Sequence, residues 1–102
     1  MSIDTGDIRH ERTARGGRYL YRFADGAEAV LEYVNQGEGV VAMTHTGTPP
    51  HHRNKGAAEA IVRHAVAEAR EAGTKIVPVC SYVAALFARN PGWADLRADR
   101  TR

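Results

Sequence analysis

The chain has 102 residues, enough for one small domain with one core. Hydrophobic residues make up 43% and charged residues 25%, a globular composition, and a net charge of +2 does not favour a general nucleic-acid scaffold. The single cysteine, Cys80, excludes an internal disulfide framework and fits a cytoplasmic setting, and no apolar run approaches the ~20 residues of a membrane helix, so neither nucleic acid nor membrane is an expected partner.

Residues 1–15 are polar and lack the apolar stretch of a secretory signal, so a flexible N-terminal segment is expected there. The domain is expected over 16–98, with a frayed C-terminus at 99–102. From Arg18 the pattern becomes regular. "RYLYRF" (18–23) alternates large and basic residues and reads as a strand, with Tyr19, Tyr21 and Phe23 on one face as core. "ADG" (24–26) is a turn, and "AEAVLEYV" (27–34) is a second strand that returns antiparallel to the first. After the turn "NQGEG" (35–39), "VVAMTHT" (40–46) is a third strand. Strict alternation places Val41, Met43 and His45 on one side and Val40, Ala42, Thr44 and Thr46 on the other.

"GTPPHHRNK" (47–55) is a loop, its prolines forbidding regular structure at 49–50. From Gly56 to Ala72 the period becomes helical, with Ile61, Val62, Ala65, Val66 and Ala69 on the apolar face and a Glu59–Arg63 i,i+4 pair outside. "KIVPV" (75–79) is a short buried strand and "SYVAALFAR" (81–89) a short helix stopped by "NPG", with Trp93 beyond it as a packing anchor. The expected fold is α/β: three antiparallel strands, then a right-handed β-α-β unit in a mixed sheet of about four strands, with helices packed on it. Pro78 removes a ladder donor, so its strand lies at an edge or the sheet splits beside it.

The stretch "HHRNKGAAEAI" starts a helix with positive charge at the end where the dipole is already positive. Arg53, Asn54, Lys55, Gly56, Ala57 and Ala58 have the spacing R-x-x-G-x-A. The first turn of a helix has free N–H groups, small residues let an anion approach them, and Arg53 and Lys55 add charge. This constellation suits a pyrophosphate; the alternative is a solvated basic loop. His51 and His52 are read as loop residues at its rim. No metal site is expected, because adjacent histidines point apart in an extended chain and no nearby cysteine or carboxylate completes a zinc set.

Residues 40–96 resemble the Gcn5-related N-acetyltransferases, whose cofactor motif Q/R-x-x-G-x-G/A is matched by Arg53, Gly56 and Ala58. "THT" at 44–46 and the block "KIVPVCSYVAA" at 75–85 look like the small YjdJ-type branch. The resemblance implies an acetyl-CoA-dependent enzyme, with acetyl-CoA as cosubstrate and an amine as acceptor; a monomer is compatible with the pattern. It implies that the loop amides of residues 53–58 hold the pyrophosphate. It implies that the pantetheine arm lies between two splayed parallel strands, pairing with Thr46, Gly47 and Thr48. It places Cys80 near the thioester, either as acyl acceptor or as proton donor to the departing thiolate, a role suited to a thiol at a helix N-terminus. His45, close to where the pantetheine emerges, is the candidate general base. The tyrosine acid of many larger relatives is replaced here by Leu86. A non-catalytic module that binds CoA or acetyl-CoA is the alternative.

Overall fold

The computed structural model describes residues 7–98. The sheet has the strand order β1-β2-β3-β4-β5: β1 Ile8–Arg12, β2 Gly16–Arg22, β3 Glu28–Gly37, β4 Val40–Gly47 and β5 Lys75–Pro78. Helix α1 (Ala57–Ala72) links β4 to β5, helix α2 (Ser81–Arg89) follows β5, and a 3-10 helix at Pro91–Leu96 closes the described chain. The first four strands pair antiparallel, and β4 pairs parallel with β5. The expected α/β mixed sheet is therefore present, with five strands instead of about four.

The extra strand is β1, inside the segment read as flexible. Its charges hid an alternation: Ile8 is buried and His10 stacks on Tyr19 with ring centroids 4.0 Å apart, while Arg9 and Glu11 face outward. The expected fraying at 99–102 lies outside the described residues. Among the described residues no helix is long and apolar enough to cross a membrane.

One core cluster joins Tyr19, Phe23, Leu31, Tyr33 and Met43 from the sheet to Ile61, Val62, Ala65 and Val66 of α1 and Val83, Leu86 and Phe87 of α2. The aromatic stripe of β2 is thus core, as its spacing predicts. Trp93 packs edge-on against Phe87 at 5.2 Å and beneath the Arg63 guanidinium at 5.4 Å, which anchors the C-terminal segment. The polar groups that enter this layer are paired. Glu68 of α1 accepts from the Tyr19 hydroxyl at 2.9 Å and lies 3.3 Å from Nδ1 of His10 and 3.1 Å from Nε2 of His64. Burial raises the Tyr19 pKa and lowers that of His10, whose imidazole bridges Glu68 and the Tyr33 hydroxyl.

β2 and β3 approach so closely at Gly16 that a Cβ there would lie 2.2 Å from the Tyr33 carbonyl oxygen and 2.7 Å from Val34 Cα. Both obstacles are backbone, so they cannot swing aside. Gly16→Ala is expected to destabilise the fold by about 1–3 kcal/mol, the usual range for forced overpacking. The urea midpoint measures this; an unchanged midpoint contradicts the close approach.

β4 departs from strict alternation. The register runs Leu31↔Thr46 and Glu32↔His45, then Tyr33↔Met43, so Thr44 is an extra, bulged residue. The bulge reverses the faces beyond it. Thr46 rejoins the face of Leu31, Tyr33 and Met43, and His45 moves to the opposite face with Glu32. The expectation that Val41, Met43 and His45 share one side is thereby corrected.

Candidate functional site

The two parallel strands part company at Pro78. Their pairing ends at Met43↔Pro78, and the N–H groups of Val79 and Cys80 both turn to the Met43 carbonyl, at 3.1 and 2.9 Å. β4 continues to Gly47, so residues 44–47 have β3 on one side and no strand on the other. β5 is also the edge strand, so both readings of Pro78 hold together.

Beside this opening, α1 begins without a side-chain cap. Its first three N–H groups, of Ala57, Ala58 and Glu59, precede the first intrahelical bond, from the Ala60 N–H to the Gly56 carbonyl at 3.0 Å. Asn54 (φ 68) and Gly56 (φ 83) both take left-handed conformations that fold the loop over this end. A Cβ at Gly56 would meet nothing within 4 Å, so glycine is required there by its dihedral and not by crowding. Ala57 is buried against the core, so its small size serves helix packing, whereas Ala58 remains at the surface of the site.

A cleft of about 480 Å³ joins these features. Of the residues expected to hold a cofactor, Thr46, Thr48, Arg53, Asn54, Gly56, Ala57 and Ala58 line it; Gly47 and Lys55 stand outside its lining. His52, read from the sequence as a rim residue, lines it too, and so do Glu59 and Tyr82, which were not expected. Glu59 brings an acid to the first turn, but the Arg63 guanidinium engages it at 2.8 Å and offsets its charge. No carboxylate among the described residues pairs with Arg53, so its charge is free at the mouth of the cleft.

Cys80 is the N-cap residue of α2, with its sulfur 3.6 Å from the Thr46 hydroxyl. Partial burial pushes the thiol pKa up, but the N–H of Val83, the Thr46 hydroxyl and the N–H of Tyr82 outweigh it, and the thiol ends below its ordinary value. A pair of His45 and Cys80 does not form. Cys80 meets Thr46 on the helix-facing side of β4, while the bulge carries His45 to the other side, where its ring lies 3.3 Å from the position of a Cβ on Gly47.

Both premises that argued against a cluster around His51 and His52 fail in the fold. The chain is not extended there: Pro50–His52 is a 3-10 turn. The carboxylate is supplied from 26 residues upstream by Asp25, whose Oδ2 lies 3.0 Å from His51 Nε2 and 2.9 Å from His52 Nε2. His52 is buried, stacked on Phe23 at 3.8 Å with an interplanar angle of 4°, and its Nδ1 accepts from Lys55 Nζ at 2.9 Å. Lys55 is therefore held at the rim by His52. The sequence signal for Asp25 was only that of a turn residue; its approach to residue 52 is tertiary.

Comparison with known proteins gives the family and the fold. A profile of the GCN5-related N-acetyl-transferases matches residues 18–96, which contain most of β2, all of β3 to β5, both helices and the cleft. The solution structure of a GCN5-like protein from Staphylococcus aureus superposes with a TM-score of 0.68 at 16% identity, over 94% of this chain and 93% of that one. The splayed parallel strands, the uncapped helix and the matched profile meet in one conclusion: the chain belongs to the GCN5-related N-acetyltransferase family.

Proposed function

We propose that the protein is an acetyl-CoA-dependent N-acetyltransferase that transfers an acetyl group to an amine. The observation that carries this reading is that one cleft brings together the N–H groups starting α1 and, at Thr46, the end of β4 that lacks a second strand partner. The first edge, with Arg53 and Asn54, suits a pyrophosphate. The second offers Thr46, Gly47 and Thr48 to an extended amide-bearing arm, which would add to β4 as a strand does.

In the proposed reaction the amine nitrogen attacks the thioester carbonyl carbon. A free N–H at the end of β4 stabilises the oxyanion, and the C–S bond then breaks to release CoA thiolate. His45, or a water beside it, takes the amine proton from the face of Glu32, and Cys80 delivers a proton to the thiolate from the opposite side of β4. The division of faces created by the bulge suits an amine arriving on one side and a thiol leaving on the other. A cytoplasmic, reducing setting keeps Cys80 a thiol.

On this reading Cys80→Ala lowers turnover by roughly 10²-fold or more, the scale of a lost proton-transfer group, with little change in KM for acetyl-CoA. Turnover at the wild-type level would remove Cys80 from the mechanism. Intact-mass analysis after mixing with acetyl-CoA separates the covalent variant: one acetyl adduct, absent in Cys80→Ala, marks an acyl-enzyme, and release of CoA without an adduct marks direct attack.

Leu86 supports a second reading. It is 1% exposed and fills the core at the α2 position where larger relatives are expected to carry an acid. A module that holds acetyl-CoA without transfer would show thermal stabilisation by acetyl-CoA and no product across a panel of amines and peptides.

A further inference from the structure

We propose that Asp25, His51 and His52 form a binding site for a divalent transition-metal ion of the zinc class. This inference does not depend on the acetyl-CoA reading.

The three donor atoms already converge. Nε2 of His51 and Nε2 of His52 both lie within hydrogen-bond distance of Asp25 Oδ2, and one ligand atom from each of the three residues falls within 4.8 Å of the others. In a tetrahedral zinc site with bonds of about 2.0–2.2 Å, neighbouring ligand atoms stand roughly 3.3–3.5 Å apart. The separations of 2.9 and 3.0 Å need to open by only a few tenths of an ångström. The flanking structure fixes two of the three ligands. Asp25 sits in the turn between β2 and β3, where its Oδ1 accepts the Ala27 N–H at 3.0 Å and leaves Oδ2 for the histidines. The Phe23 ring holds the His52 imidazole in plane from the same turn. His51 and Asp25 are solvent-exposed, at 64% and 48% of their side-chain surface, so an ion can enter and a water can complete the fourth position. Two imidazoles and one carboxylate suit zinc and its neighbours, not calcium or magnesium, which require more oxygen ligands.

Ligation has a defined consequence for Lys55. In the present arrangement the Lys55 ammonium can only donate, so Nδ1 of His52 accepts from it and the ring proton lies on Nε2 toward Asp25. A neutral imidazole that binds metal through Nε2 carries that proton on Nδ1 instead. The proton count is unchanged, but Nδ1 becomes a donor and can no longer hold Lys55. The ammonium must leave, and leaving also separates it from the dication. Metal and the His52–Lys55 hydrogen bond are therefore mutually exclusive.

The test is a titration of the full chain, free of any affinity tag, with Zn²⁺ by calorimetry and with Co²⁺ by visible absorption. One equivalent should bind. His51→Ala and Asp25→Asn should each weaken binding at least tenfold, and both sites are exposed enough for the fold to survive. His64→Asn, in the separate Glu68 cluster, should leave binding unchanged. Lys55→Met should tighten it several-fold by removing the competing ammonium. An absence of binding to the wild type, or binding that survives both His51→Ala and Asp25→Asn, overturns the proposal. Weaker binding in Lys55→Met, or loss of binding in His64→Asn, does so too.

Discussion

Arg53→Glu is expected to lower the affinity for acetyl-CoA by about 100-fold or more, with the fold intact. Arg53 is exposed, has no carboxylate partner among the described residues, and stands at the end of the cleft where α1 begins. A hydrogen bond to a charged group contributes about 1.5–3 kcal/mol. Losing one changes Kd roughly ten- to a hundredfold. The glutamate adds repulsion between like charges at the same place, which carries the total to the upper end of that range or beyond. Calorimetry on the wild type and the variant measures the difference, and the unliganded melting temperatures serve as the folding control. Equal affinities would place the phosphates elsewhere and remove the anion cradle from the proposed function. The salt dependence of Kd should weaken in the variant, since fewer charges face the ligand.

The second large effect concerns the support beneath the cleft. Leu31 is fully buried and pairs across the sheet with Thr46, which lines the cleft and touches Cys80. Leu31→Ala should cost about 2–5 kcal/mol through lost burial and the cavity it leaves. A single domain has only about 5–15 kcal/mol in total. For a chain of this size the melting temperature should fall by roughly 10 °C or more. Saturating acetyl-CoA should return part of the loss by mass action, about 2.7 kcal/mol at a hundredfold excess over Kd. A melting temperature within a few degrees of the wild type would mean that the layer under Thr46 can collapse into the space without penalty. A large loss that acetyl-CoA fails to offset would separate the cleft from ligand binding altogether.

Much of this architecture was legible because it rests on periodicity. The apolar positions from Ile61 to Ala69 announce α1, and the alternation of Tyr19, Tyr21 and Phe23 announces the face of β2 that meets it. The loop at residues 53–58 was legible for a different reason: its residues act through backbone and local charge, which a short motif carries. The features that escaped depend on pairing at a distance. β1 reads as polar because only Ile8 is a strong apolar marker, and the partners that make it a strand, the β2 ladder and the Tyr19 and Glu68 contacts of His10, lie elsewhere in the chain. The bulge at Thr44 has no local signature, since Thr and His suit either phase of a strand, and it alone decides which face receives His45. Asp25 and His52 are separated by two turns and two strands, so their contact is a property of the closed sheet and not of either segment.

The treatment of the last strand bears on where the sheet leaves its backbone open to another chain. Past the 3-10 helix, Arg97 bridges to Ile76 in parallel, and the Ala98 N–H reaches the Ile76 carbonyl at 2.7 Å. A bare outer strand is a template on which a second molecule can stack, strand to strand, into an open-ended aggregate. Here Arg97 and Ala98 cover part of that template, and at the opposite margin Arg9 and Glu11 present charge on β1. The side of β4 left unpaired beyond Met43 is flanked instead, at Thr46, by the cleft where α1 starts and by Cys80. The fold thus moves its open backbone from the outer margin to the interior of the sheet, beside the cleft.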